Sequence, residues 1–219
     1  MLNNPNLIKK GNTDYYSRVR NWPSLFDIKS NAKVLDIGCG AGSLGKYLID
    51  RYESNVTGLD IVQDNYQESS KVLNRAIIGD METMDIKELG GDFDYIIFSD
   101  SLEHMIDSNK VIEIVKTLLA SDGILLISMP NVRNFRVTFP LLLSDSWEYK
   151  DEGLLDWTHM RFFTYSSLLD LLDLHDFKIC RVKVDLPMSS KVGIINLLTF
   201  GLLKKHLTSH YFIESCLKK

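Results

Sequence analysis

The chain has 219 residues, 45% of them hydrophobic and 25% charged, with a net charge of −4: room for one α/β domain with a sizeable core, and too acidic a balance to favour a nucleic-acid groove. Its three cysteines, Cys39, Cys180 and Cys216, include no C-x-x-C pair, so no disulfide framework or zinc site is expected and a reducing cytoplasm fits best. The opening MLNNPNLIKKGNTDYY lacks the apolar core of a signal peptide, and no apolar run approaches the ~20 residues that span a bilayer.

In chain order, Lys33–Ile37 is predicted as a buried strand and Ser43–Arg51 as a helix with Leu44, Tyr47 and Leu48 on one face. Asn55–Leu59 is a second strand that runs into Asp60, Asp64–Leu73 a second helix, and Ala76–Ile78 a short third strand before Gly79-Asp80. Asp94–Phe98 is the fourth strand. In Ser108–Leu119, Val111, Ile112, Val115, Leu118 and Leu119 follow a helical period, and Gly123–Ser128 is the fifth strand. Pro130–Thr164 is long, aromatic-rich and poorly periodic, and a loop of this length in a compact domain is usually functional. Tyr165–Leu174 resumes as a helix and Lys178–Val184 as a strand. Lys191–His206 is an apolar amphipathic segment, and Ser209–Leu217 is the last strand. Near-continuous apolar strands alternating with helices predict a doubly wound, Rossmann-like α/β fold: a mostly parallel sheet of these strands with helices on both faces.

VLDIGCGAGSLG, Val34 to Gly45, holds two overlapping glycine patterns. Gly40, Gly42 and Gly45 spell the dinucleotide fingerprint G-x-G-x-x-G, but it begins two residues after the strand ends at Ile37, with Gly45 already in the helix. Gly38, Gly40 and Gly42 start where the strand stops, as the ligand crevice of such a sheet requires. Asp36 discriminates further. A carboxylate at the mouth of the site repels a pyrophosphate and attracts a ligand that carries an ammonium and no phosphate. Asp60, at the end of the second strand, is placed to hydrogen-bond two ribose hydroxyls. A purely structural reading has Asp36 capping the turn and the glycines only shaping it.

With these elements in order, residues 14–185 resemble the class I S-adenosylmethionine-dependent methyltransferases, and VLDIGCGAG matches the first motif of that family. The resemblance implies S-adenosylmethionine as cofactor, with Asp36, Gly38, Cys39 and Gly40 at the methionyl-adenosyl site and Asp60 with Ile61 at the ribose. It places Asp80 and Met81 at the adenine and Ser99 beneath the methionine. Asp14-Tyr15-Tyr16 resembles a segment that closes over the cofactor through Tyr16. The implied organisation is a single domain over 1–219, with N-terminal cap helices in 1–30 and an acceptor-binding lid inserted at 130–164.

Two clusters face the acceptor question. Asp100, Glu103 and His104 form D-x-x-E-H after the fourth strand. A similar triplet binds magnesium in the O-methyltransferases of ubiquinone synthesis, so the resemblance leaves a Mg2+ site open. Oxygen ligands suit that ion and histidine is an unusual partner for it. His104 can equally serve as a base. The second cluster, PNVRN…WEY…GLLDWTHMRFFT, sets Asp156, His159 and Arg161 among aromatic residues. It reads as a pocket for a polar ring, with His159 and Arg161 as further catalytic candidates, or as a lid held by an Asp156–Arg161 ion pair. This series resembles a bacterial subgroup associated with polysaccharide or lipopolysaccharide synthesis, which implies SN2 methyl transfer to a sugar or glycan hydroxyl. O-, N- or C-methylation of a small molecule, of the ubiquinone-synthesis type, stays open. So do an NAD-dependent sugar oxidoreductase or epimerase, although no Tyr-x-x-x-Lys is present, and a partner subunit that binds cofactor without turnover. The apolar segment from Val192 to Leu203, followed by Lys204-Lys205-His206, covers the sheet, forms a homodimer contact, or lies peripherally on a membrane.

Overall fold

The computed structural model describes residues 21–186 and 191–218. The segment around Tyr16, and with it most of the expected N-terminal cap, lies outside the described residues. Seven strands form one sheet in the order β3-β2-β1-β4-β5-β7-β6. They are β1 (Lys33–Ile37), β2 (Asn55–Asp60), β3 (Arg75–Ile78), β4 (Phe93–Ser99), β5 (Leu119–Pro130), β6 (Phe177–Val184) and β7 (His210–Leu217). The first five pair in parallel, while β7 runs antiparallel to both β5 and β6. β1 pairs with β2 on one side and β4 on the other, so the loops leaving β1 and β4 diverge and open a crevice at the carboxyl end of the sheet.

Alternation along the strands divides the core. Leu35, Ile37, Ile96 and Phe98 join one buried cluster, and Val34, Tyr95 and Ile97 join the other across the sheet. Each such side chain, withdrawn from water, contributes about 1.5–3 kcal/mol. Asp36 alternates with Leu35 and Ile37 and is 1% exposed, a carboxylate where the pattern calls for an apolar residue.

The helices are α1 (Ser43–Tyr52), α2 (Gln63–Ser69), α3 (Ser108–Leu118), α4 (Phe135–Ser144), α5 (Tyr165–Leu174), α6 (Lys191–Leu198) and α7 (Lys204–Leu207). α3 starts on Asp107, whose carboxylate accepts from the Lys110 amide, and buries Val111, Ile112, Val115 and Leu118. α5 starts with a reciprocal cap between Thr164 and Ser167.

Three expectations are corrected. α2 stops at Ser69 rather than Leu73 because the chain turns there to drop Leu73 into the space that Gly45 and Gly58 leave: a Cβ on either would lie 2.5 or 2.4 Å from a Leu73 methyl. Residues 130–164 contain α4, capped by Asn134 accepting from the Arg136 amide. Of its residues only Val137 is buried, so no amphipathic stripe announced it, and it carries Pro140 within its length. Cys180 and Cys216, on neighbouring β6 and β7, are joined as a disulfide where none was expected. They are 36 residues apart in sequence, and only strand pairing brings them together.

Candidate functional site

The glycine loop after β1 is built from backbone. Gly38, Gly40 and Gly42 have φ of 76°, 56° and 82°, a region that costs other residues about 1–2 kcal/mol. At Gly38 a Cβ would lie 2.6 Å from the Ser101 Cβ, so the loop passes within van der Waals reach of the chain leaving β4. The Ser101 hydroxyl fastens the two, donating to the Ile37 carbonyl at 2.5 Å. Gly45 packs in α1 against Val56 and Leu73 and takes no part in the loop.

Asp60 anchors this loop to β2. Its Oδ2 accepts from the Gly40 amide at 2.8 Å, and its Oδ1 accepts from the Val62 amide at 2.9 Å and the Asn65 amide group at 3.0 Å. Oδ1 thus holds two protein donors and Oδ2 one, so Oδ2 is the oxygen with acceptor capacity left towards a ligand hydroxyl.

A cleft opens between the loops after β1 and β4. The first motif contributes Asp36, Gly38, Cys39, Gly40, Ser43 and Leu44 to its wall, and the opposite side contributes Ser99, Asp100, His104 and Asp156. Burial, with Asp36 and Asp60 nearby, pushes the Cys39 thiol well up, so it lines the wall as a neutral group. The Ser99 hydroxyl accepts from the Trp22 indole at 2.9 Å, and Trp22 stacks on Phe212 with ring centres 5.4 Å apart. Asp100 takes a left-handed φ of 52°, accepts from the Ser128 hydroxyl and lies 4.0 Å from His210. Non-glycine residues in that region cluster at functional sites.

Ile61, Asp80 and Met81 lie outside this lining. Ile61 is exposed, directly after Asp60. The Asp80 carboxylate accepts from the Glu82 amide and the Thr83 hydroxyl of its own turn. The Met81 side chain is 2% exposed within the core cluster, so of this pair only the backbone and the Asp80 edge are available to a ring.

The second cluster folds back onto the first. The Glu103 carbonyl accepts from the Met160 and Arg161 amides, both at 2.9 Å, which clamps the 156–161 turn against the Leu102–His104 turn. His104 Nδ1 lies 3.1 Å from the Thr158 carbonyl and 3.2 Å from its hydroxyl. That hydroxyl donates to Asp156 Oδ1 at 2.7 Å, and the Thr158 amide donates to the same oxygen at 2.8 Å. The His104 and His159 rings meet edge to face, 4.8 Å apart. Burial, with His104 adjacent, pushes the His159 imidazole down to about 4, so it is neutral near pH 7. Trp147, Tyr149 and His159 gather around the Phe162 ring at 5.2, 6.4 and 6.0 Å.

Arg161 is exposed and both donates through Nε at 3.0 Å and through a terminal amine to the Ile106 carbonyl. Its guanidinium therefore braces the turn after His104 and does not line the cavity. One ligand atom each of Glu103, His104 and His159 lie within 4.8 Å of one another. The convergent trio thus contains His159 in the place expected for Asp100. Two imidazoles and one carboxylate suit a transition ion better than magnesium, which wants oxygen ligands.

Thr158 and the wall positions Ser43 and Leu44 escaped sequence reasoning. Thr158 carries a signal only in its place two residues after Asp156, the spacing of a side chain capping its own turn.

A family model for a methyltransferase domain matches residues 13–182. The (S)-tetrahydroprotoberberine N-methyltransferase of Eschscholzia californica is 30% identical over 55% of this chain and 36% of its own length. The ubiquinone biosynthesis O-methyltransferase of Actinobacillus pleuropneumoniae is 28% identical over 69% of this chain and 68% of its own length. The matches to the two plant N-methyltransferases span only 36% and 35% of those proteins. Among solved structures, a SAM dependent methyltransferase from Archaeoglobus fulgidus superposes with a TM-score of 0.65 at 18% identity, covering 93% of each chain, a likeness of fold.

Proposed function

The chain belongs to the methyltransferase domain family, and on that premise we propose that it transfers a methyl group from S-adenosylmethionine to a hydroxyl of a sugar or glycan. The observation that carries the reading is the shared cavity: the glycine loop with Asp36 forms one wall, and His104 with Asp156 forms the other. The cradle fits the cofactor. Its left-handed glycines hold the loop in a turn packed closely on Ser101, and its buried carboxylate suits an ammonium and opposes a phosphate.

When bound, S-adenosylmethionine supplies an electrophilic methyl on a sulfonium. The chain's part is to hold, align and deprotonate. Asp36 faces the positive end, and the Gly38 and Gly40 backbone allows close approach. Asp60 holds the loop and offers Oδ2 to a ribose hydroxyl. His104 takes the acceptor proton on Nε2 while Thr158 holds Nδ1. Alignment of two reactants supplies much of the acceleration for such a substitution, and a positioned base about 10²–10⁴-fold more. A polar ring as acceptor is supported by Asp156 in the wall, whose carboxylate can take a hydroxyl, and by the Trp147, Tyr149 and Phe162 rings that pack together in the same segment of the chain, outside the lining of the cleft. We assign residues 130–164 as the acceptor lid. A phenolic hydroxyl is the second reading, favoured by the similarity to the ubiquinone biosynthesis O-methyltransferase.

The test is transfer of label from S-adenosylmethionine into a panel of sugar nucleotides, bacterial glycans and catechols, alongside S-adenosylhomocysteine binding. Label in a sugar supports the first reading and label in a catechol the second. Binding without label in any hydroxyl overturns O-methylation for the acceptors tested.

A further inference from the structure

We propose that α4 and the segment from α6 to α7 form a docking face for an anionic membrane surface at the cavity end of the sheet. β5 ends at Pro130, which pairs with His210 at the start of antiparallel β7. α4 leaves β5 and α7 enters β7 at this point, so both stand at the carboxyl end of the parallel strands, where the cavity opens. Asn131 and Asn134 staple them together. Asn131 donates to the Lys205 and Thr208 carbonyls at 2.9 Å, and Asn134 donates to the Thr208 carbonyl at 2.9 Å.

From this joint the chain exposes large apolar side chains: Leu142 is 78% exposed, Leu143 81%, Phe200 95% and Leu202 83%, with Leu197 and Leu198 above 70%. Scattered apolar residues are ordinary on a surface, but two rooted segments of them mark an interaction site. The charge names the partner. Residues 131–144 and 193–208 carry Arg133, Arg136, Lys204 and Lys205 and no carboxylate, in a chain whose net charge is −4. A second copy docked symmetrically on this face would set like charges against each other, whereas acidic headgroups complement them. No described helix is long and apolar enough to cross a membrane, and α6 has eight residues, so the contact lies in the interface plane. One consequence rests on the methyl-transfer reading: a face at the cavity end would let the site take an amphiphilic acceptor whose hydroxyl stands at the bilayer surface. The docking itself does not depend on it.

The experiment is sedimentation of the full chain with vesicles of phosphatidylcholine containing phosphatidylglycerol, against phosphatidylcholine alone. Leu142→Glu with Leu143→Glu, and separately Phe200→Ser with Leu202→Ser, are compared with the parent, and circular dichroism confirms that each folds. The expected result is binding to the anionic vesicles, weakened by salt and by either pair on the order of tenfold. No binding to anionic vesicles, or variants that bind like the parent, overturns the proposal. So does a dimer that the variants dissociate without any vesicle binding, which would make a second copy the occupant. Vesicle binding without methyl transfer would leave the docking face standing and count against the enzymatic reading alone.

Discussion

His104 Nδ1 lies 3.1 Å from the carbonyl oxygen of Thr158, an atom that can only accept. Nδ1 is therefore assigned as the protonated nitrogen, and in the neutral ring the lone pair falls on Nε2. The Thr158 hydroxyl spends its own proton on Asp156, so it too can receive Nδ1–H. A residue spaced far along the chain thus sets the tautomer of the candidate base.

His104→Gln should lower kcat by about 10²–10⁴-fold and leave S-adenosylhomocysteine affinity unchanged. Thr158→Val removes the hydroxyl and keeps the carbonyl, so its loss should stay within about tenfold. Steady-state kinetics with a calorimetric binding curve check both. An unchanged kcat in His104→Gln would remove His104 from the chemistry.

Gly38→Ala puts a methyl 2.6 Å from the Ser101 Cβ on a backbone at φ 76°. Neither the strand ends nor the Ser101 bond can yield cheaply. Stability should fall by about 1–2 kcal/mol or more, and S-adenosylhomocysteine binding should weaken at least about tenfold. Gly91→Ala meets no atom within 4 Å and is the control. Thermal melts of both variants, with and without S-adenosylhomocysteine, decide it.

How much was legible follows from which interactions are local. The strands were readable because β1, β2 and β4 are buried on both faces, and the glycine register was readable because strand and loop are contiguous. Asp36 stood out as a charge in an apolar run. The Thr158–His104 contact spans 54 residues and rests on a carbonyl, which every residue has, so no side-chain pattern encodes it. Met81 shows a motif match of another kind: its apolar side chain is taken by the core, which leaves the backbone as its edge towards a ligand. α4 hid because its leucines face outward, and the Cys180–Cys216 pairing depends on β6 and β7 lying side by side.

The disulfide closes a loop of 36 residues, which in the chain-entropy account stabilises by roughly 3–4 kcal/mol at room temperature. Urea unfolding should shift to a lower midpoint when a thiol reductant is added, and Cys180→Ser should remove that shift. Equal midpoints in both conditions would mean the bridge contributes nothing to stability.

His159 supplies a pH dependence whose sign is fixed. Its imidazole lies at about 4 in the fold and near its ordinary 6.5 when unfolded. Between these values the unfolded chain holds a proton that the folded chain refuses, so stability rises with pH across the window. The full value is present above 6.5 and is lost as the pH falls towards 4. Urea midpoints in EDTA should drop between about pH 7 and about pH 5, and less so in His159→Phe. Parallel drops in both proteins would locate the effect elsewhere.

Metal removal separates the two roles open to His104. If the convergent trio held a magnesium ion, two of its three ligands would be imidazoles, a poor donor set for an ion that prefers oxygen. The Asp100 carboxylate, which would improve that set, is turned towards Ser128. The base role needs no ion, only the tautomer that Thr158 already imposes. Methyl transfer should therefore survive EDTA and gain nothing from added magnesium. Loss in EDTA with recovery on zinc would make Glu103, His104 and His159 a transition-metal site. Recovery on magnesium would require Asp100 to swing in, and Asp100→Asn would then abolish the recovery while His159→Phe would not.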